Sequence, residues 1–394
     1  MEFVVRLGLA LHSHGAHAAR VESAMTALAR RFELIGNFFA LPTSIHVGFG
    51  PLGQQTVFLV RTEPGSQDLG RLAALDALLV RTVGGLPLAA ARTELGQILQ
   101  DRRALPVLVE LGAHACAAAA AGVFLSAGPR DVLAATALGF CSGGIARGLG
   151  ARADTRVLAD AVAAFVVALS AALLAAISPS IHVGKLTLAG VIYLLPGFTL
   201  TTAVTEIATR HLASGTARFA GASASFLTLA FGAALGWHVG FALVGRPEPA
   251  PIEALPVWSI AAALLLAPTA YATLLRVARR DIGIVFASCL VAFAGSRLGA
   301  AAFGAELGAF GAALVVGTFA NAVARRLDRP ASIPLVPGLF LLVPGSIGFA
   351  SLEALFQKDA QQGLITASTM MLVATALVAG VLMANVLLPS RRVL

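Results

Sequence analysis

After Pro106 the sequence becomes a nearly unbroken series of apolar runs, more than a water-soluble fold of this length can bury. A helix that crosses a membrane needs about 20 predominantly apolar residues. Ten such spans can be placed, at roughly 106–127, 132–150, 157–177, 186–208, 217–244, 257–276, 282–300, 306–324, 333–355 and 363–389. Their connections are short, so they should pack as one bundle. Only 12% of residues are charged and the mean hydropathy is +0.85, whereas soluble domains carry about a quarter charged residues. That excludes a disordered chain and a water-soluble enzyme. Forty glycines suit closely packed membrane helices. Cys116, Cys141 and Cys289 sit in separate apolar runs, with neither a disulfide framework nor metal-site spacing.

Residues 1–105 have a different character, with ten arginines balanced by eight acidic residues. No signal peptide is expected, because Glu2 and Arg6 interrupt the start and no cleavage site follows. Helical spacing runs from Glu2 to Leu34 with a break near His14-Gly15, and strands are expected at Thr43–Phe49 and Gln54–Thr62. Asp68 can cap a helix to about Val83, and Ala89–Arg103 reads as another. The pattern predicts a small soluble α+β module at 1–105, followed by membrane regions at 106–245 and 256–394.

The net charge of +8 is dispersed along the edges of the apolar runs, which argues against nucleic acid as a partner. With the N-terminus inside, thirteen basic residues of the membrane region fall in inner loops and the C-terminus, from Arg147 to Arg392. Five fall outside: Arg130, Lys185, Arg246, Arg297 and Lys358. This bias places both termini in the cytoplasm by the positive-inside rule.

The membrane region repeats weakly. Asp131 and Arg147 recur as Asp281 and Arg297, shifted by 150 residues; Leu195-Pro196-Gly197 recurs as Val343-Pro344-Gly345, shifted by 148, as does Gly215 as Gly363. Five spans per repeat is an odd number, so the halves are expected to be inverted. Inverted repeats with interrupted helices are a recurring plan of secondary transporters.

The interruptions are the candidate chemistry. Pro196-Gly197 and Pro344-Gly345 each split a span, since Pro lacks an amide donor and Gly relaxes the backbone. A half-helix N-terminus offers free amides and positive dipole charge to a carboxylate. Thr199, Thr201, Thr202 and Ser346 could add hydroxyls; the plainer alternative is a kink whose hydroxyls bond their own helix. Asp160 and Glu206 are candidates to carry a coupling proton, and Arg147 and Arg297 to clamp carboxylates. Glu110 and Glu353 read as interfacial acids. His12, His14 and His17 lack firm metal-ligand geometry, so no metal and no cofactor is expected.

Several of these residues carry a family likeness. They are Ser13-His14-Gly15-Ala16 followed by Arg20-Val21-Glu22; Asp68-Leu69 through Leu86-Pro87-Leu88; Leu195-Pro196-Gly197 with Thr201 and Glu206; Ser214-Gly215 with Arg218; and Val336-Pro337-Gly338 with Val343-Pro344-Gly345. In these the chain resembles the threonine/serine exporter (ThrE-type) family over nearly its whole length, although His14 interrupts the family's usual Ser-Gly-Ala run. The resemblance implies a cytoplasm-adjacent N-terminal module and two five-span units. It also implies export of L-threonine and L-serine, driven by the proton gradient or membrane potential. The expected partners are a small amino acid or carboxylate substrate and the lipid bilayer of a bacterial inner (plasma) membrane, with a homo-oligomer left open. Two alternatives stand beside it: a dicarboxylate exporter, which should need Arg147 or Arg297 at its site, and a membrane-embedded enzyme or sensor using the N-terminal module. The charge bias makes a prediction of its own. A reporter fused after Leu394 should be active only as a cytoplasmic fusion, and periplasmic activity would reject the ten-span topology.

Overall fold

The computed structural model describes residues 1–394 except 64, 66, 102–104, 249–250, 357–358 and 390–394, and the side chain of Ala153. Lys358, Arg391 and Arg392 of the charge count, and Arg102 and Arg103, therefore lie outside the described residues.

The first hundred residues form four helices and one sheet: α1 (Glu2–Ser13), α2 (Ala18–Arg31), α3 (Leu69–Val83), α4 (Leu88–Gln100), and strands β1 (Gly36–Leu41), β2 (Ser44–Phe49) and β3 (Thr56–Arg61). Gly15, at φ 96°, makes the turn between α1 and α2. Asp68 caps α3 by accepting from the Arg71 amide at 2.9 Å. The sheet is antiparallel in the order β1-β2-β3. β1 had not been expected from sequence, because Gly36-Asn37-Phe38-Phe39 shows no clear alternation of apolar and polar residues.

Apolar helices follow: α5 (Val107–Phe124), α6 (Pro129–Gly150), α7 (Ala153–Ile177), α8 (Val183–Val191), α9 (Gly197–Ala208), α10 (Leu212–Val244), α11 (Trp258–Leu274), α12 (Ile282–Leu327), α13 (Ser332–Leu342), α14 (Gly345–Phe356) and α15 (Ala360–Leu387). By length and composition, the described residues contain seven helical stretches able to cross a membrane, or eight if the bent pair α8–α9 counts as one span. The protein is thus a polytopic helical membrane protein. The ten expected spans map onto these elements unevenly. α11 is short at 17 residues. The expected spans 282–300 and 306–324 share α12, which leaves helical geometry only at Gly304, φ 81°. Large apolar side chains such as Leu133, Leu298, Phe303 and Leu372 point outward and exposed, as a lipid-facing surface requires.

Small residues set how closely the helices pack. A Cβ at Gly236 of α10 would lie 2.5 Å from the Phe165 carbonyl of α7 and 2.9 Å from the Ala168 Cβ. A Cβ at Gly380 of α15 would lie 2.4 Å from the Phe310 carbonyl and 2.8 Å from the Ala313 Cβ. Gly190 of α8 likewise rests on Val167 and Leu138, and Gly338 of α13 on Val316 and Ser288. Two buried acids stand near helix starts. Asp131 accepts from the Gly128 amide at the start of α6 and from the His182 amide just before α8. Asp281, just before α12, faces Arg329 just before α13 at 3.4 Å.

Candidate functional site

Two helix interruptions meet inside the bundle. α8 ends in a 3-10 turn at Ile192–Leu194, and α9 restarts at Gly197 with a bend of 58°. α13 stops at Leu342, and α14 restarts at Gly345. Each restart follows a proline, which cannot donate the amide bond that would continue the preceding helix. The glycines are needed for proximity: a Cβ at Gly197 would lie 2.2 Å from Val343 Cγ1 and 3.0 Å from the Gly345 Cα. Two half-helix N-termini, each with unsatisfied first-turn amides, are thereby held against one another.

A small cavity of about 50 Å³ opens at this meeting point, with room for a few water molecules. Gly197, Val343, Gly345 and Ser346 line it from the breaks, and Tyr193, Phe198, Tyr271 and Phe340 form an aromatic wall. Phe340 stacks on Phe198 at 4.9 Å and on Tyr193 at 6.0 Å between centroids, with Tyr271 tilted against it at 5.7 Å. Among the described residues, no charged side chain lines this cavity.

The sequence candidates separate clearly on this map. Gly197, Gly345 and Ser346 line the cavity, and Pro196 and Pro344 shape it. Thr199, Thr201 and Thr202 do not line it. The Thr201 hydroxyl donates to the Gly197 carbonyl at 3.1 Å and Thr202 to the Phe198 carbonyl at 2.9 Å, the backbone bonding that Thr commonly makes within helices. Arg147 is paired with Glu110 at an exposed edge, and the exposed Arg297 lies over the Phe293 ring at 6.0 Å. Asp160 is half-buried in α7 and does not line the cavity. Sequence reasoning missed the aromatic wall. A signal was present, since the chain has only two tyrosines, Tyr193 and Tyr271, and both stand there.

Glu206 has a different setting. Buried at the end of α9, it accepts from the Ala18 amide at 3.1 Å, the Ser214 hydroxyl at 2.7 Å and Arg218 Nε at 3.0 Å. A carboxylate from the membrane region thus caps the N-terminus of α2, where the helix dipole favours negative charge. Further ties join the two regions: the Leu69 amide donates to the Leu275 carbonyl at 2.9 Å, and Arg276 lies 3.9 Å from Asp68. Leu275 and Val336 belong to the same core as α1, α2 and α3, and Phe198, Tyr271 and Phe340 pack against that core. The N-terminal helices therefore back the aromatic wall of the cavity. Nearby, His12 bonds the Pro42 carbonyl and His14 the Ala10 carbonyl, and no group of three or more potential ligands suited to a metal occurs among the described residues.

His17 precedes α2 at this junction. Burial pushes its imidazole down to about 4, assisted by the charge of Arg20 and opposed by Glu206. The sign of the pH effect follows. With the folded value below the unfolded value of about 6.5, the unfolded state binds the extra proton first. Stability is then complete above about pH 6.5, falls as pH drops towards 4, and levels off below that, by up to about 3 kcal/mol. Proteolysis of the N-terminal hundred residues in nanodiscs should accelerate between pH 7.5 and 5, and His17→Gln should flatten that dependence. An identical pH profile in the variant would contradict the assignment.

Two family models match the chain. A threonine/serine exporter model (ThrE) matches residues 2–240, and a second, described as threonine/serine exporter, ThrE, matches residues 259–387. No curated protein and no solved structure matches the chain. With the two models spanning the N-terminal unit, both helix breaks and the aromatic wall, the chain belongs to the threonine/serine exporter family.

Proposed function

We propose that the protein is a secondary active exporter that moves L-threonine and L-serine out of the cell across the plasma membrane, coupled to the proton gradient or the membrane potential. The observation that carries this reading is the meeting of two half-helix N-termini at an uncharged cavity. Each N-terminus carries roughly half a positive charge, and the cavity lining holds no acid to balance them. A substrate carboxylate there is stabilised by both ends at once, a common solution among transporters with broken helices. Each hydrogen bond to such a charged group is worth about 1.5–3 kcal/mol.

In this reading the chain crosses the membrane ten times. Gly304 separates two spans within α12, and α8–α9 and α13–α14 are single broken spans. The membrane regions 106–245 and 256–394 are inverted repeats of five spans. The paired glycine contacts and the recurring Asp131 and Asp281 support that relation. Residues 1–105 sit on the cytoplasmic side with both termini. Pro196, Gly197, Pro344, Gly345 and Ser346 form the substrate site, with Thr199, Thr201 and Thr202 supporting the first break. Glu206 is engaged by three donors. Asp160, without a hydrogen-bond or ion-pair partner among the described residues, is better placed to carry a coupling proton. The dicarboxylate alternative lacks its guanidinium, because neither Arg147 nor Arg297 reaches the cavity.

Flux in proteoliposomes tests the proposal. Threonine and serine should move, faster with an imposed pH gradient or potential, and succinate should not. Succinate flux without amino-acid flux would favour the dicarboxylate reading. Absence of all three fluxes would favour a sensor or enzyme.

A further inference from the structure

Three hydroxyl-bearing side chains converge on the cavity from three different elements. Tyr193 comes from the turn before the first break, Tyr271 from α11, and Ser346 from the first turn after the second break. None of the three hydroxyls has a hydrogen-bond partner among the described residues, and none is sealed away from the cavity. Several neighbouring hydroxyls instead donate to backbone carbonyls: Ser142, Thr187, Thr201, Thr202 and Thr205; what sets Tyr193, Tyr271 and Ser346 apart is that all three residues line the cavity. Hydroxyls that line a cavity with room for water are available to bond an occupant that displaces it. These two tyrosines are the only ones in the chain.

We infer that Tyr193, Tyr271 and Ser346 form a hydroxyl-reading subsite that selects β-hydroxy amino acids over their deoxy counterparts. The inference rests on the amino-acid export reading and assigns its specificity. The two half-helix N-termini are suited to a carboxylate, which every amino acid shares. The other lining side chains offer ring faces and aliphatic groups, so side-chain discrimination between serine and alanine falls to the three hydroxyls. A site built to hydrogen-bond a substrate hydroxyl rejects the analogue that lacks it, since the site's own polar groups are then left unpaired. Tyr193 and Tyr271 are also fixed by their contacts with the Phe340 ring, so little side-chain freedom is lost on binding.

The test is a selectivity ratio measured on the full chain in proteoliposomes. Serine is compared with alanine, and threonine with 2-aminobutyrate, by apparent affinity in counterflow. Wild type should prefer the hydroxylated member of each pair by at least about tenfold, the effect of one hydrogen bond lost beside unpaired partners. Tyr193→Phe, Tyr271→Phe or Ser346→Ala should shrink that ratio several-fold, with the hydroxylated substrate losing more affinity than its deoxy partner. Alanine flux in the same vesicles serves as the control for folding, because a merely structural loss lowers both substrates together. A ratio unchanged in all three variants, with serine still transported, would overturn the subsite and leave the export reading intact. Wild-type vesicles that move neither serine nor threonine would overturn the export reading itself.

Discussion

Backbone amides and carbonyls inside a bilayer have no water to bond, so an interrupted helix there must end against protein or a wet cavity. This chain contains two such interruptions, and they are placed against each other, with Gly197 and Gly345 so close that a Cβ at Gly197 would collide with the opposite break. Much of the architecture serves this contact. α8 and α13 reach it by packing Gly190 and Gly338 on neighbouring helices. α10 and α15 clamp α7 and α12 through Gly236, Gly317 and Gly380, where an added side chain would meet backbone or a Cβ within 3 Å. Overpacking of that kind costs about 1–3 kcal/mol, which accounts for glycine at these contacts.

The second organising feature is the junction with the N-terminal helices. Glu206 ends the half-helix that begins at Gly197, so one short element, α9, connects the cavity to the cap on α2. The same element carries Phe198, which faces the cavity and packs against the N-terminal core. α9 thus touches both the α2 cap and the aromatic wall. The charges at this junction are nearly all committed: Arg20 to Asp76, Glu22 to the Ala40 amide, and Arg218 to Glu206.

Much of this was legible in the sequence, and the reasons for success and failure are physical. Apolar runs and Pro-Gly pairs reveal helices and their breaks because hydropathy and the missing amide act locally. Asp68 was readable as a cap for the same reason. The recurrence of Leu-Pro-Gly as Val-Pro-Gly pointed to two equivalent breaks, and the structure brings them into contact. Side-chain direction was not readable. The threonines after Gly197 suggested a hydroxyl-lined site, but two of them bond back to their own helix and none lines the cavity. The ring wall draws on three separated segments, around 193–198, 271 and 340, and only tertiary packing unites them. Glu206 looked like an intramembrane acid, yet its partners Ala18 and Arg218 come from opposite directions along the chain. No local pattern encodes that convergence.

The central claim is that the two breaks meet face to face and that substrate occupies the space beside them. A Cβ at Gly345 would stand 3.3 Å from the Leu195 Cβ, close to the separation a disulfide requires. The direct measurement pairs Leu195→Cys with Gly345→Cys in a chain whose native cysteines are replaced, with oxidation in native membranes followed by maleimide labelling. The account predicts a reducible cross-link that blocks labelling of both thiols and forms more slowly when L-threonine is present. Two thiols that stay free and label like the single-cysteine controls would contradict it.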